Sequence, residues 1–459
     1  MIELYDTLTK QKETFTPIEE GQVKMYHCGP TVYSSPHIGN LRSYIFADTL
    51  KRLFLYEKYD VTQVINITDV GHLTSDGDTG EDKLEKASKE KSESAQDIAE
   101  RYTTEFMNAL EALNVNINET IFPRATAHID EQITIIKELE TKGHTYTTSD
   151  GVYFDTSTFK KYGALGGIDL KGLKEGARVE KNSEKRNPTD FALWKFSKPE
   201  EKRQKEWQSP WGVGFPGWHI ECSAMSMKYL GETFDIHTGG VDHIPVHHNN
   251  EIAQSECATG KPLAHYWLHN EFIVGAEGKL SKSKGDDTTL ETLKEKGVSS
   301  LAYRYWLLTG RYSTQMTFDI EALKGSGQAY VNLINDVANL PEGGSLNADW
   351  LGRIVNAVED DLDTPKAIAL IWDLLKSEVT PADKRATIIE ADKLLGLNLQ
   401  KQITYTQSIP KEITELLAQR EEARKKADWS TADLLRTEIE TKGFEILDTE
   451  GGSNVRRKI

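Results

Sequence analysis

Apolar positions in the first part of the chain alternate between continuous runs and runs with helical spacing. VKMYHC, at residues 23–28, reads as a buried strand. From about Ile38 to Tyr56 the apolar residues recur at helical spacing, and Tyr59–Thr68 is β-branched and apolar. Strand, helix and strand within about 45 residues form a βαβ unit. The pattern therefore predicts a parallel sheet.

Farther along, the pattern divides into three more regions. A long helical stretch is predicted to end near Leu113, and residues 114–205 have the turns and polar runs of an insertion with short strands and mobile loops. The α/β pattern returns with the apolar strand Glu232–Gly240. From about Asp319 the sequence is predicted to be mostly helical to its end, and its last sixty residues form a distinct unit.

Composition and charge limit the classes of protein that fit this pattern. The chain has 459 residues, enough for about three domains, and 38% of them are hydrophobic. Because the N-terminal segment has no apolar signal region and no run reaches the roughly 18 apolar residues of a membrane span, we expect a cytoplasmic protein without a membrane partner. The net charge of −17 argues weakly against a nucleic-acid partner, although a local basic patch can act against an acidic background.

The tetrad His37-Ile38-Gly39-Asn40 stands where a predicted strand leads into a helix. Exposed backbone N–H groups and the helix dipole favour an anion at such a position. Gly39 would let a flat group such as a purine approach the backbone, and His37 could donate to phosphate oxygens. The alternative is an ordinary βα turn in which His37 caps the helix.

A second element is the glycine-flanked basic stretch GKLSKSKG at residues 278–285. Lys279 and Lys282 could neutralise a polyphosphate, and Ser281 and Ser283 could donate hydrogen bonds to it. The alternative is a solvated surface loop. Because the sequence contains no GxxxxGK[ST] motif, any phosphate site must be built in another way.

Three cysteines cannot form a disulfide framework, so we expect free thiols or metal ligands. His247 and Glu251 are four residues apart and share one helical face. Together with Cys28 and Cys222 they would complete a tetrahedral zinc site. Alternatively, Cys222 is a small buried hydrophobe and His247 a satisfied core histidine. Cys257 is assigned to the core.

Together these stretches resemble the class I aminoacyl-tRNA synthetases, and most closely the cysteinyl-tRNA synthetase family. YHCGPTVYSSPHIGNLRSY is similar to the family's N-terminal signature, and PGWHIECSAMS, FDIHTGG, HHNNEIAQSE and KLSKS follow in family order. DLDTPKAIALIWDLL and REEARKKADWSTADLLR resemble its tRNA-stem and anticodon-binding parts. Where the family commonly has TDVDDK, this chain has TDVGHLTSDGDTGEDK.

The resemblance implies an α/β fold with a Rossmann-like parallel-sheet catalytic domain split by an insertion, then a helical bundle and a small C-terminal anticodon-binding domain. The implied domains are residues 1–115 and 206–290 (catalytic), 116–205 (connective insertion), 291–325 (stem-contact region, with the KLSKS loop just before it), 326–401 (helical tRNA-binding bundle) and 402–459 (anticodon-binding). We expect a monomer, and no editing domain.

The resemblance also implies one zinc ion held by Cys28, Cys222, His247 and Glu251, binding the thiol of the substrate cysteine as thiolate. Zinc binds thiolate far more readily than a serine hydroxyl. This preference would let the site distinguish cysteine from the nearly isosteric serine. The other implied substrates are ATP, with Mg²⁺, and tRNA(Cys). The substrate carboxylate would attack the α-phosphate of ATP, and the adenylate would then pass cysteine to the terminal ribose of the tRNA.

Site residues follow from the same resemblance. The implied catalytic residues are His37, Asn40, Lys279 and Lys282, and the ATP-binding residues are His37, Ile38, Gly39, Asn40 and Lys282. The implied cysteine pocket consists of Gly29, Thr31, Trp218 and His237, with Asp242 nearby, and the implied anticodon contacts are Arg420, Arg424 and Trp429.

Two other functions are compatible with the catalytic half. One is the ligase that couples cysteine to an amino sugar in mycothiol synthesis, which would not need an anticodon-reading domain. The basic and aromatic residues of the segment 402–459 favour tRNA instead. The other is a catalytically silent, zinc-containing RNA-binding paralogue, against which the intact HIGN and KLSKS stretches argue.

Overall fold

The architecture is that of a computed structural model, which describes residues 1–71, 83–167, 183–198, 203–275, 278–279, 288–449 and 452–457. The strands are β1 (Glu3–Asp6), β2 (Gln11–Thr14), β3 (Gln22–His27), β4 (Asp60–Ile65), β5 (Thr145–Thr148), β6 (Gly151–Phe154), β7 (Phe191–Phe196), β8 (Gly214–Pro216), β9 (Phe234–Gly240), β10 (Ala264–Asn270), β11 (Ile273–Gly275), β12 (Gly278–Lys279), β13 (Met316–Thr317), β14 (Phe444–Thr449) and β15 (Gly452–Arg457). The α-helices are α1 (Ile38–Tyr56), α2 (Lys83–Lys91), α3 (Ala95–Ala112), α4 (Ile129–Thr141), α5 (Trp218–Leu230), α6 (His247–Thr259), α7 (Leu290–Glu295), α8 (Ser300–Leu308), α9 (Ile320–Ala338), α10 (Ala348–Glu359), α11 (Thr364–Lys376), α12 (Pro381–Leu395), α13 (Leu399–Gln407), α14 (Lys411–Lys425) and α15 (Trp429–Thr441). Short 3-10 helices lie at Ala125–His128, Thr156–Thr158 and Val241–His243. None of the helices in this described part of the chain has the length and apolar character needed to cross a membrane.

A four-stranded parallel sheet organises the first half of the chain. Its strand order is β10-β9-β3-β4, and every neighbouring pair runs parallel. Helix α1 connects β3 to β4, whereas α6 connects β9 to β10. From the neighbouring strands β3 and β9, the two connections therefore lead in opposite directions along the sheet. This leaves a crevice between them at the carboxyl ends of β3 and β9. The βαβ unit and the parallel sheet predicted from the apolar pattern are confirmed.

β3 and α1 form where the apolar pattern predicts them. Val23 and Met25 of β3 are completely buried, as expected for a strand inside a covered parallel sheet. Helix α1 begins at Ile38 because His37 adopts an extended backbone and caps it: His37 Nδ1 accepts a hydrogen bond from the backbone N–H of Gly39 at 3.0 Å. The predicted bounds of the helix, Ile38 to Tyr56, are confirmed.

The helical stretch predicted to run to Leu113 is interrupted. α2 ends at Lys91, and α3 begins at Ala95 with Ser94 as its N-cap. The Ser94 hydroxyl accepts a hydrogen bond from the backbone N–H of Asp97 at 3.1 Å. A serine followed three residues later by an acidic residue is a helix-start signal that apolar spacing alone overlooks.

Three strands of the predicted insertion form an antiparallel sheet with β8, which lies beyond its predicted end at residue 205, and the strand order is β5-β6-β7-β8. Phe154, Trp194 and Ile220 belong to one hydrophobic cluster that joins this sheet and α4 to α5 and α6. The short strands predicted for this region are confirmed. Much of the stretch predicted to form loops, residues 168–182 and 199–202, lies outside the described residues.

The C-terminal third is helical as predicted, except at its end. One hydrophobic core extends from Leu50 of α1 to Ile354 and Ile388 in the following helices. A separate small core around Ile413 and Phe444 belongs to the last unit. The chain then closes with an antiparallel hairpin of β14 and β15, so the prediction of helix to the end is wrong there. In β14 the buried Phe444 and Ile446 flank the partly exposed Glu445, a short alternation in a charged segment that the helical pattern before it obscured.

A buried ion pair joins α1 to the helices that follow the parallel sheet. The Arg304 guanidinium of α8 is fully buried and bonds to the Asp48 carboxylate of α1. It also donates to the backbone carbonyls of Leu395 and Leu113, at 2.9 and 3.0 Å. Arg304 thus holds α1 against the ends of α12 and α3.

Replacing Asp48 with asparagine should leave the buried Arg304 without its counter-charge. Removing one partner of a buried ion pair costs about 3–5 kcal/mol, and we expect the free energy of unfolding to fall by about that amount. Urea unfolding followed by circular dichroism measures this change. Glu321→Gln is the matched control, because Glu321 pairs with Lys324 on an exposed helix face, where a pair contributes about 0–1 kcal/mol. Equal losses in the two variants would contradict the prediction.

Candidate active site and metal centre

The four predicted metal ligands meet at the carboxyl edge of the parallel sheet, beside the crevice between β3 and β9. Cys28 directly follows β3, Cys222 lies in α5, and His247 and Glu251 lie in the first two turns of α6. Their donor atoms all lie within 4.8 Å of one another, and all four residues are buried. The fold therefore brings together side chains from three distant segments.

The end of β3 is held in place by both neighbouring strands. The backbone N–H of Cys28 donates to the carbonyl of Thr238 in β9 at 3.2 Å. The N–H of Gly29 donates to the side-chain oxygen of Asn66, just after β4, at 2.7 Å. A Cβ at position 29 would lie 1.5 Å from the backbone oxygen of Asn66, so this close approach requires glycine.

Glu251 is the electrostatic centre of the cluster. Its carboxylate is completely buried, with one oxygen 3.0 Å from His247 Nε2 and the other 2.9 Å from His237 Nε2. Burial would raise the pKa of Glu251, but His237 and His247 hold it below its ordinary value. A carboxylate that stays ionised in a buried site requires compensating positive charge.

Thiol and imidazole groups in the cluster are also shifted. A hydrogen bond with Cys28 lowers the pKa of Cys222 to about 7, against the effect of burial. Burial would lower the pKa of His247, but Glu251 and Cys222 raise it to about 10. Because metals bind cysteine as thiolate and histidine as neutral imidazole, a divalent cation could replace the protons that this cluster holds.

The donor set fits zinc. Two thiols, one imidazole and one carboxylate are all ligands that zinc accepts in tetrahedral sites. Magnesium and calcium prefer oxygen ligands, which form only a small part of this set. Four such donors, all buried and within 4.8 Å of one another, are the feature that points to a bound cation.

Three further histidines around the cluster, His219, His248 and His269, were not predicted from the sequence. His248 Nε2 lies 3.3 Å from the Cys28 sulfur, and His248 Nδ1 lies 2.8 Å from His269 Nε2. His219 Nδ1 lies 2.8 Å from His247 Nδ1, so the other nitrogen of the His247 ring is the one beside Glu251. Hydrogen bonds from such surrounding residues fix the orientation of the imidazole ring of a metal ligand.

One of these histidines also belongs to an alternative donor set. Cys28, His237, His248 and Glu251 have donor atoms within 4.8 Å of one another. The two sets share Cys28 and Glu251. The spacing in HHNNE offered a signal, because His248 stands three residues before Glu251 and three-residue neighbours meet on a helix surface.

Side chains predicted to form the amino-acid pocket lie around this cluster. The Trp218 ring packs on the His247 ring with centroids 4.3 Å apart. His237 stacks on Trp267 at 4.4 Å, and its Nδ1 is buried without a hydrogen-bond partner among the described residues. Thr31 pairs with Thr68 as an isolated bridge between the segments that follow β3 and β4. Asp242, predicted to lie nearby, is exposed in the 3-10 helix after β9.

The HIGN tetrad forms the N-terminus of α1 at the same edge of the sheet. His37 caps the helix, as the alternative interpretation of the sequence proposed. Both backbone polar groups of Ile38 are hydrogen-bonded outside the helix. Its N–H donates to the carbonyl of Thr288, and its carbonyl accepts from the Tyr303 hydroxyl. Asn40 is exposed. Cys28 directly follows β3 and α1 begins eleven residues after the end of that strand, so the cluster and the helix N-terminus share one edge.

The described part of the KLSKS stretch lies on a small separate sheet. Lys279 is in β12, where it pairs with Val274 of the central strand β11. β11 also pairs in parallel with β13. Lys282 lies outside the described residues, as do Ser281, Ser283 and most of the GHLTSDGDTGEDK stretch.

Two of the three predicted anticodon contacts bond within the C-terminal unit. Arg420 and Arg424 of α14 donate to the carboxylate of Asp448 at 3.0 and 2.7 Å, and to the Ser453 hydroxyl at 2.7 and 2.9 Å. Arg420 is buried, so these contacts attach α14 to the terminal hairpin. Trp429, at the start of α15, is 60% exposed.

The architecture is shared with synthetases of known structure. Methionyl-tRNA synthetase of Mycobacterium tuberculosis bound by methionyl-adenylate superposes with a TM-score of 0.56 at 15% identity, covering 83% of this chain and 91% of that one. A family model described as the tRNA synthetases class I (C) catalytic domain matches residues 14–328. The fold and this match define a class I aminoacyl-tRNA synthetase.

Sequences of higher identity show to which family within this class the chain belongs. A second family model, the cysteinyl-tRNA ligase anticodon binding domain, matches residues 406–456. Cysteine–tRNA ligase 1 of Burkholderia lata is 49% identical over 98% of this chain and 96% of its own length. The cysteine–tRNA ligase of Treponema denticola is 44% identical, with complete coverage of both chains. The chain belongs to the cysteine–tRNA ligase family.

Cys222→Ser should weaken metal binding, because it removes one of the two sulfur donors. We expect elemental analysis of the purified protein to find a bound transition metal, and the variant to bind it at least about tenfold more weakly in a chelator competition. In cobalt-substituted protein the sulfur-to-cobalt charge-transfer band should weaken as well. Cys257→Ser is the matched control, because Cys257 is outside both donor sets and should leave metal binding unchanged. Equal affinities of the two variants would exclude Cys222 as a ligand.

Proposed function

We propose that this protein activates L-cysteine with ATP and transfers the cysteinyl group to tRNA(Cys). The observation that carries the proposal is the buried group of Cys28, Cys222, His247 and Glu251 at the sheet edge where α1 begins. A donor group suited to a thiolate-binding metal, at the sheet edge where a helix N-terminus suited to a phosphate begins, supports the activation of a thiol-bearing amino acid with ATP. Membership of the cysteine–tRNA ligase family supports the same reaction.

We infer that Cys28, Cys222, His247 and Glu251 hold one zinc ion. When bound, this ion would supply a soft Lewis acid that takes the thiol of the substrate as thiolate and a serine hydroxyl much less readily. One ion per chain is proposed because the alternative donor set shares Cys28 and Glu251 with the first.

The remaining pocket residues would orient the amino acid. Gly29 leaves room beside Asn66 for the chain to turn away from the sheet, and Thr31 follows it, bridged to Thr68 beyond β4. Trp218 covers the His247 ring on the side of α5. The buried Nδ1 of His237 is available for a hydrogen bond to the substrate.

ATP would bind at the N-terminus of α1. In the activation step a carboxylate oxygen of cysteine forms a bond to the α-phosphorus, the bond to the β-phosphate oxygen breaks, and pyrophosphate leaves. His37, Ile38, Gly39 and Asn40 would surround the α-phosphate and the adenine, and Lys279 and Lys282 would neutralise the departing pyrophosphate, which Mg²⁺ also contacts. The terminal ribose hydroxyl of the tRNA then attacks the carbonyl carbon of the adenylate, and AMP leaves.

Cysteine-dependent ATP–pyrophosphate exchange tests the first step. We expect exchange with cysteine and a kcat/KM for serine lower by about 10⁴-fold or more, the range reached when a site binds a group that the competitor lacks. Charging of tRNA(Cys) should accompany it. Exchange without charging would favour a ligase with another acceptor, and absence of exchange would contradict the proposed function.

Trp429→Ala tests the proposed anticodon contact. Base stacking on an aromatic side chain is worth about 1–3 kcal/mol, so we expect the KM for tRNA(Cys) in charging to rise by about 5- to 100-fold. Exchange should not change, because it does not involve tRNA. Leu434→Ala is the matched control, since Leu434 is 70% exposed on the same helix but cannot stack in this way. An unchanged KM for Trp429→Ala would remove this residue from the tRNA contact.

A further inference from the structure

Arg42, in the second turn of α1, has a buried guanidinium bonded to backbone carbonyls. The residue is 3% exposed. Its Nη1 donates to the carbonyl of Phe272 at 2.6 Å, and its Nη2 donates to the carbonyls of Thr314 at 2.6 Å, Arg311 at 3.0 Å and Tyr312 at 3.3 Å. The acceptors thus come from two segments far apart in the chain, and none of them is a carboxylate.

These two segments lead into the small sheet that carries Lys279. Phe272 immediately precedes β11, and Thr314 stands two residues before β13. β11 pairs with β13 on one side and with β12 on the other, where Lys279 lies opposite Val274. Arg42 therefore connects the helix that His37 caps to the sheet on which Lys279 is located.

Burying a charged guanidinium to make this connection costs desolvation free energy. Burial lowers the pKa of Arg42 to about 10, and the group is still charged at neutral pH. A buried charge bonded to carbonyls costs more than a well-packed apolar side chain in the same place. The planar guanidinium can, however, fix the relative orientation of the groups that it joins, because its donors point in fixed directions.

Neighbouring contacts hold the same parts of the molecule together. Phe46 of α1 stacks on Tyr312 with ring centroids 4.5 Å apart and planes 16° apart. The Ser43 hydroxyl donates to the side-chain oxygen of Asn270, at the end of β10, at 2.7 Å. The first three turns of α1 are thus attached to the region around β11 by stacking and by hydrogen bonds.

We propose that Arg42 is a positioning residue for amino-acid activation: its guanidinium sets the N-terminus of α1 at a fixed distance and angle from the sheet that carries Lys279. The inference rests on the proposed function. In that function both parts contact one triphosphate, His37 at the α-phosphate and Lys279 at the departing pyrophosphate. A displacement of about 1 Å between such groups can cost about 10²-fold in rate.

Arg42→Lys tests this role, since lysine keeps the charge but loses the planar set of donors. We expect kcat of ATP–pyrophosphate exchange to fall by about 10- to 100-fold, with the KM for cysteine and the metal content unchanged. Arg52→Lys is the matched control. Arg52 is also on α1 and donates to the carbonyls of Asn114 at 2.6 Å and Lys393 at 3.3 Å. It also donates to the Asp48 carboxylate at 2.8 Å, and none of these acceptors belongs to the small sheet or to the segments that lead into it. Its kcat should stay within about twofold of the wild type.

The transfer step separates positioning from a general structural effect. Pyrophosphate has already left when cysteine passes to the tRNA, so single-turnover transfer from preformed enzyme-bound adenylate should proceed at the wild-type rate in Arg42→Lys. A parallel fall in transfer and exchange, or equal losses in Arg42→Lys and Arg52→Lys, would overturn the inference.

A second variant covers the case in which Arg42→Lys does not fold. Ser43→Ala removes a single hydrogen bond from the same connection and should lower kcat of exchange by a few-fold with transfer unchanged. Unchanged exchange in this variant, with Arg42→Lys unfolded, would also overturn the inference. Failure of the proposed function has a different signature, because the wild-type protein itself would then show no cysteine-dependent exchange.

Discussion

A completely buried carboxylate that remains ionised, Glu251, is the constraint on which the site depends. Its two oxygens each contact an imidazole, and two thiols lie within the same few ångströms. Such a group is stable only where positive charge compensates it, which is what a divalent ion between thiolates would supply. The crevice between β3 and β9 provides the place, because the connections of the sheet diverge there. Cys28 reaches it only because Gly29 lets the chain turn against Asn66.

Helix α1 links this site to the rest of the molecule. Its N-terminus stands at the edge of the sheet, and buried charged groups attach it elsewhere: Arg42 to the small sheet and Asp48 to Arg304 of α8. Apolar contacts hold the same helix in the core, but the hydrophobic effect behind them is not directional. Hydrogen-bonded charges cost more to bury and define orientation more narrowly. Both parts of the proposed nucleotide site, the N-terminus of α1 and the small sheet, are thus attached to one helix.

Residue chemistry and order along the chain were enough to group Cys28, Cys222, His247 and Glu251, since few side chains here can bind a soft metal and two of them share a helix face. His248 was overlooked although it stands three residues before Glu251, and His219 was overlooked because nothing in its local sequence distinguishes a histidine beside a metal site from one in a core. Arg420 has a structural contact that its residue type did not predict. A basic residue in a tRNA-binding unit suggests a phosphate contact, yet its guanidinium bonds to Asp448 across a hairpin that the apolar pattern did not reveal.

The sequence by itself determined the βαβ unit, the bounds of α1, the succession of helices after the sheet and the chemistry available for a metal site. These depend on short-range periodicity and on residue type, both of which are visible in a single chain. Tertiary structure alone decided which histidines surround Glu251, that Gly29 must be glycine, and that Arg42 bonds to carbonyls about 230 to 270 residues away. Such contacts depend on how strands pair and how helices cross, and each is the outcome of packing the whole core at once.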